Sequence, residues 1–169
     1  MTIHSFAAFL KYWWKAKGRH GTHSPFVYEF VERVLMSDTA IEREYMVEIP
    51  ALSLRFENIV NRIAANYQLK SVIRVSGDAE FKANADLVIV NEMPTSDWMV
   101  FLDKHAPELH NETMVVFTDI HQTKNHSAQW KNVCTHQRVK MSIDLYGIGI
   151  LLFRKEFKEQ QHFILKYNP

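Results

Sequence analysis

Asp119, His121 and His126 are the residues whose types and spacing most invite chemistry. A carboxylate and two imidazoles follow the short apolar run Met114 to Phe117 within one polar stretch. In open α/β sheets, functional side chains stand at the carboxyl ends of strands, which is where Asp119 and His121 fall. Aspartate and histidine are ligands for zinc or manganese, so one expectation is a metal-dependent hydrolase using Asp119 and His121, with His126 as a further ligand. The D-x-H-x4-H spacing matches no strong metal signature. The competing expectation is that Asp119 and Asn125 bond to loop backbone and cap the next helix, with the histidines solvated. Cys134 with His136 or His121 has the composition of a nucleophile and its base. Its place beside Trp130 and Val133 on an apolar helical face points instead to a small buried hydrophobe. Near the start, RHGTHSPF (19–26) gathers Arg19, His20 and His23 ahead of a helix start, where free N–H groups favour an anion. The same three residues also suit plain hydrogen bonds between loop and domain.

The elements that must position these residues follow from apolar periodicity. Phe6, Phe9, Leu10 and Trp13 predict a helix over 5–17, stopped by Gly18. The only charges before Tyr28 are Lys11, Lys15, Lys17 and Arg19. With Trp14 among them they suggest a membrane-surface or nucleic-acid helix, but no second basic block supports it, and an aromatic helix packed on the domain or on a partner is expected. Ser24 as N-cap and Pro25 as first helical residue open a second helix, apolar through Leu35 and ending at Met36. A third, 52–67, turns Phe56, Ile59, Val60, Ile63 and Ala64 inward and Glu57, Asn61 and Arg62 outward. Strands are expected at 71–75, 86–90 and 114–118. Ser96 caps a helix that buries Trp98, Phe101 and Leu102 and ends near Pro107, and another helix follows Asn125. Val139, Met141, Ile143 and Leu145 alternate with Lys140, Ser142, Asp144 and Tyr146 as in a strand. Gly147 and Gly149 reverse the chain into 150–153, an antiparallel hairpin, and Phe163 to Tyr167 adds a last edge contact.

Composition sets the bounds. A chain of 169 residues, 47% hydrophobic, suits an α/β domain at 37–169, with 1–36 as a helical segment packed on it or extending it. Lys plus Arg is 20 against 19 for Asp plus Glu, so nucleic acid is not an expected partner. A single cysteine, no secretory-signal pattern and no apolar run near the ~20 residues of a membrane span make a cytoplasmic protein the expectation.

RHGTHSPFVYEFVERVL, FENIVNRIAANYQLKSVIRVSG, DLVIVNEMP, VVFTDIHQTKNHSAQW and VKMSIDLYGIGILLFRK together resemble a family of bacterial S-adenosylmethionine (SAM)-dependent methyltransferase-like proteins of the class I, Rossmann-like fold. The resemblance covers most of the chain. It implies a reduced three-layer α/β fold with a mixed five-stranded sheet in the order first, second, third, fifth, fourth, closed by the antiparallel hairpin. It also implies where a cofactor would sit. The ExGxxxG-type turn of the family falls on Arg74, Ser76, Gly77 and Asp78, so Arg74 replaces the usual acid and the glycines shrink to Gly77. The ten residues 76–85 leave no room for the two βα units that follow in the family, the first of which ends in the ribose-binding acid. Asn91, followed by Glu92, stands where the family often has Asp. Such a site needs glycine at the cofactor and a carboxylate on the ribose, and both demands fail. The expectation is therefore a degenerate member without cofactor, a non-catalytic oligomerising or protein-binding module. The alternatives are a SAM-dependent methyltransferase with an atypical site and the metal-dependent hydrolase. Loss of two strands also leaves 71–75 at a sheet edge, a pairing hazard. The N-terminal helices are expected to cover it, or a second copy to pair with it, in a homodimer through Trp13, Trp14 or the edge itself.

Overall fold

The computed structural model describes residues 3–17, 23–37, 40–50, 52–76, 84–91 and 97–167. Its sheet is built from β1 (Val72–Val75), β2 (Leu87–Val90), β3 (Met114–Thr118), β4 (Met141–Asp144), β5 (Ile148–Leu152) and β6 (Gln161–Ile164). Their spatial order is β1-β2-β3-β5-β4-β6. The pairs β1–β2, β2–β3 and β4–β6 are parallel, whereas β5 is antiparallel to both β3 and β4, so β5 alone runs against the rest.

The first five strands stand in the expected order, and the hairpin is antiparallel as expected. Among the described residues the sheet has six strands, not five. Gln161–Ile164 joins β4 as a full edge strand, with Gln161 and His162 exposed. Backbone bonds such as Gln161 N to Lys140 O (2.9 Å) hold it, so its side chains need no buried alternation.

Continuous apolar strands are explained by helices on both faces. On one face, Leu87, Ile89, Met114, Val116, Ile143 and Ile150 pack under α2 (Pro25–Phe30), a π-helical turn Val31–Leu35 and α3 (Leu54–Asn66). On the other, Val88, Val90, Val115, Phe117 and Leu151 meet α4 (Trp98–His105) and α5 (Lys124–Cys134). Ser24 caps α2 and Pro25 begins it, as the sequence predicts. For α4 the cap is Asp97, which accepts from Met99 N at 2.8 Å; Ser96 lies outside the described residues. For α5 it is Thr123, accepting from His126 N at 3.0 Å, and not Asn125.

Three further expectations are corrected. Asn61 is buried, because its Oδ1 accepts from Val47 N at 2.8 Å and so fixes the segment before α3. The hairpin turns at Tyr146, in left-handed backbone with φ 69°, and at Gly147 as expected, but Gly149 lies inside β5. A Cβ at Gly149 would stand 2.5 Å from the Trp130 ring, so this glycine is there to admit that indole. Finally, α1 (Ile3–Lys15) does not cover β1: it lies along the opposite edge, where Lys17 bridges Leu165 and the Tyr12 hydroxyl donates to the Leu165 carbonyl. Among the described residues no helix is long and apolar enough to cross a membrane.

Candidate functional site

Two regions hold the residues singled out in the sequence. At the carboxyl ends of β1 and β2, Arg74 Nη1 donates to Glu48 O (2.8 Å) and Asn91 Nδ2 donates to Pro50 O (3.0 Å). Asn91 Oδ1 accepts from the Thr118 hydroxyl at 2.7 Å. From the α3 side, Asn61 accepts from Val47 N and Glu57 from Ile49 N at 3.2 Å. Residues 47–50 are thus laced down across the strand ends by side chains from α3, β1 and the residue after β2. Ser76 is exposed, and Gly77, Asp78 and Glu92 lie outside the described residues.

The second region is a cavity of about 590 Å³ between α1 and α5, floored by β4 and β6. That volume is in the usual range for small-molecule pockets. Its chemistry is organised by the end of β3. Asp119 adopts φ 54°, its N–H donates to Gly147 O (2.7 Å), and its carbonyl accepts from Gln122 N (3.0 Å). Ile120 is buried beyond it, and this tight turn delivers His121 to the cavity. His121 Nε2 lies 2.8 Å from Asp144 Oδ2, and His121 Nδ1 lies 3.0 Å from Ser127 Oγ. Trp130 Nε1 donates to the same Asp144 oxygen at 3.2 Å, and Tyr146 N donates to Asp144 Oδ1 at 2.9 Å. Three donors meet this carboxyl group, whose side chain is only 10% exposed.

Tyr146 is in a conformation that bulky residues rarely take. Its ring lies 5.6 Å from His121, 5.5 Å from Tyr12 and 5.2 Å edge-on from Phe9, so the strained turn clamps α1 onto the site. Burial, then the Asp144 charge, push the Tyr12 hydroxyl up to about 12. On the floor, Ser142 Oγ and His162 Nδ1 are 2.8 Å apart, and partial desolvation of the otherwise exposed His162 lowers its pKa. The walls carry Lys11 and Lys15 from α1 and Lys131 from α5. Asp144 is the one acid among the described lining residues, and both its oxygens already accept hydrogen bonds.

The structure separates the proposed metal ligands. His126 Nδ1 donates to the Asp119 backbone carbonyl (3.0 Å) and its ring lies 5.4 Å from Trp98, while His121 points to Asp144 and Ser127. Neither histidine is simply solvated. Among the described residues no group of three or more His, Cys, Asp or Glu is placed to hold a metal, which argues against the hydrolase built on Asp119 and His121. Cys134 is buried at the cavity wall, as its helical spacing predicts. Burial pushes its thiol up to about 12, against a hydrogen bond from Ser142 that acts the other way. His136 Nε2 donates to Asp103 (3.1 Å), so it serves as no base for that thiol. Of the anion-site residues, His23 is exposed, and Arg19 and His20 lie outside the described residues.

Sequence reasoning found His121 and missed Asp144, Ser127 and Tyr146. Two signals were present. Ser127, Lys131 and Cys134 fall at i, i+4 and i+7, one face of α5. Ser142 and Asp144 share the β4 face opposite Met141 and Ile143, beside a glycine-bearing partner strand. The chain matches no protein-family model, no curated protein and no solved structure.

Proposed function

We propose that the chain is a reduced methyltransferase-like, Rossmann-like protein that performs no methyl transfer and serves as a binding module. Its ligand enters between α1 and α5 instead of at the ends of β1 and β2. The strand order β1-β2-β3-β5-β4, with β5 alone reversed, supports the methyltransferase-like part, since it is the order left when two βα units are deleted from that fold. The observation that carries the functional part is the pair of bonds from Arg74 and Asn91 to the Glu48 and Pro50 carbonyls. Arg74, at the cofactor turn of the family, and Asn91, where the family often has Asp, hold the protein's own backbone instead. Entry of SAM would break bonds worth about 0.5–1.5 kcal/mol each and would bring a sulfonium cation toward a guanidinium.

Self-association belongs to the same reading. Phe6, Leu10, Trp13 and Trp14 form an outward apolar stripe on α1, with Trp14 87% exposed, and a homodimer through it would cover surface that the fold leaves open. Calorimetric titration of SAM and S-adenosylhomocysteine into the purified chain tests the central part. No binding is expected; saturable binding at tens of micromolar or below would replace this reading with that of a methyltransferase using an atypical site.

A further inference from the structure

We infer that the α1–α5 cavity hydrolyses esters of organic anions, with Ser127 as nucleophile, His121 as its base and Asp144 as the residue that orients His121. The inference rests on the reading that this cavity is the ligand site. A carboxylate oxygen only accepts, so the His121 nitrogen facing Asp144, Nε2, carries hydrogen. The neutral ring then turns the lone pair of Nδ1 toward the Ser127 hydroxyl, 3.0 Å away. Nucleophile, base and orienting acid are thus in series within hydrogen-bond reach, the relation that activates a serine, here with the two ring nitrogens exchanged relative to the usual triad.

The surroundings suit that use. Trp130 and the Tyr146 amide fix Asp144, and the Tyr146 ring lies 5.6 Å from that of His121, so the imidazole has little freedom to turn. Lys131 lies one helical turn along α5 from Ser127, on the same cavity wall, where its ammonium group can face an oxyanion. With Lys11 and Lys15 opposite, and Asp144 consumed by its three donors, the lining selects a substrate that carries a carboxylate or phosphate. Trp130 and Phe163 offer apolar surface to the rest of it.

In the reaction, Ser127 Oγ bonds to the ester carbonyl carbon while its proton passes to His121 Nδ1. The carbon–oxygen bond to the alcohol then breaks, and the departing oxygen takes that proton. Water attacks the acyl carbon next, giving a proton to Nδ1. The Ser127 Oγ–acyl bond breaks, the serine recovers the proton, and a carboxylic acid leaves.

The test uses the full chain, a fluorophosphonate probe with peptide mapping, and two chromogenic substrates: mono-4-nitrophenyl glutarate and a cationic 4-nitrophenyl ester of similar length. We expect one adduct, on Ser127, and faster turnover of the anionic ester. Ser127→Ala and His121→Gln should lower kcat by about 10²–10⁴-fold. Asp144→Asn should lower kcat with little change in KM, a split that loosened packing alone does not produce. Absence of an adduct, or turnover unchanged in Ser127→Ala, overturns the chemistry. Binding of 4-phenylbutyrate, followed by calorimetry, separates the two levels. If it binds the wild type and Ser127→Ala protein but no ester is turned over, the hydrolysis fails and the ligand site stands. If it binds neither, the ligand-site reading fails as well.

Discussion

At the ends of β1 and β2, polar side chains bond to backbone carbonyls of their own chain; over β4, they bond to one another beside a cavity. Arg74 and Asn91 spend their N–H groups on Glu48 and Pro50, and nothing about those bonds orients a reactive atom. Asp144, His121 and Ser127 form a series in which each partner fixes the hydrogen position of the next. The same fold therefore carries one strand end closed by its own loop and one polar cluster left facing open volume. The lesson is to ask what a polar side chain is bonded to before asking what it is.

Trp130→Ala should give the largest change. The indole packs against Phe117 and Gly149 and donates to Asp144, so its removal opens a core cavity and takes away one of the two donors to Asp144 Oδ2. A loss of about 3–5 kcal/mol is expected in urea unfolding, with the His121–Asp144 contact loosened and the lacing of 47–50 intact. Equal exposure of both regions to hydrogen exchange would mean they are not independent. Asn61→Leu probes the other side: the Val47 amide loses its acceptor, at about 1–3 kcal/mol. Hydrogen exchange should quicken at Val47 and Ile49 and stay unchanged at Trp130 and Tyr146.

High pH gives the smallest and broadest effect. Burial raises Tyr12 and Tyr67 from their ordinary 10.0 to about 12, and Cys134 from 9.0 to about 12. Each neutral group contributes stability that is complete below its unfolded value and is lost as pH climbs through 9–10 toward 12. Phenolate absorbance should show Tyr12 and Tyr67, of six tyrosines, ionising only as the fold is lost, and native Cys134 should react slowly with thiol reagents until denatured. Early ionisation of all six, or prompt thiol labelling, would contradict the burial of Tyr12 and Cys134 beside β4 and the stacking of Tyr67, after α3, on Phe26.

Much of the fold was legible in the residues. Leu87 to Val90 and Met114 to Phe117 read as strands because they are apolar on both faces, and the hairpin read from its alternation. β6 was read only as a last edge contact because an edge strand held by backbone bonds needs no side-chain pattern. The side of the sheet taken by α1 depends on Lys17 meeting Leu165, a contact across most of the chain that no local spacing encodes. In the site, His121 stood out at a strand end. Asp144 did not, because alternation assigns it a face of β4, and only the arrival of α1, Tyr146 and Trp130 makes that face an interior one. Asn61 was misplaced for the same reason, since its partner Val47 lies outside α3.

The central claim is that ligands are taken over β4 and not at the ends of β1 and β2. The indole N–H signals of the four tryptophans in a two-dimensional NMR spectrum test it most directly, because that of Trp130 is bonded to Asp144. With 4-phenylbutyrate added, the Trp130 signal is predicted to shift; with SAM added, neither it nor the amides of Val75 and Asn91 should move. Shifts at Val75 and Asn91 on adding SAM, with Trp130 unmoved by the carboxylate, would contradict the account.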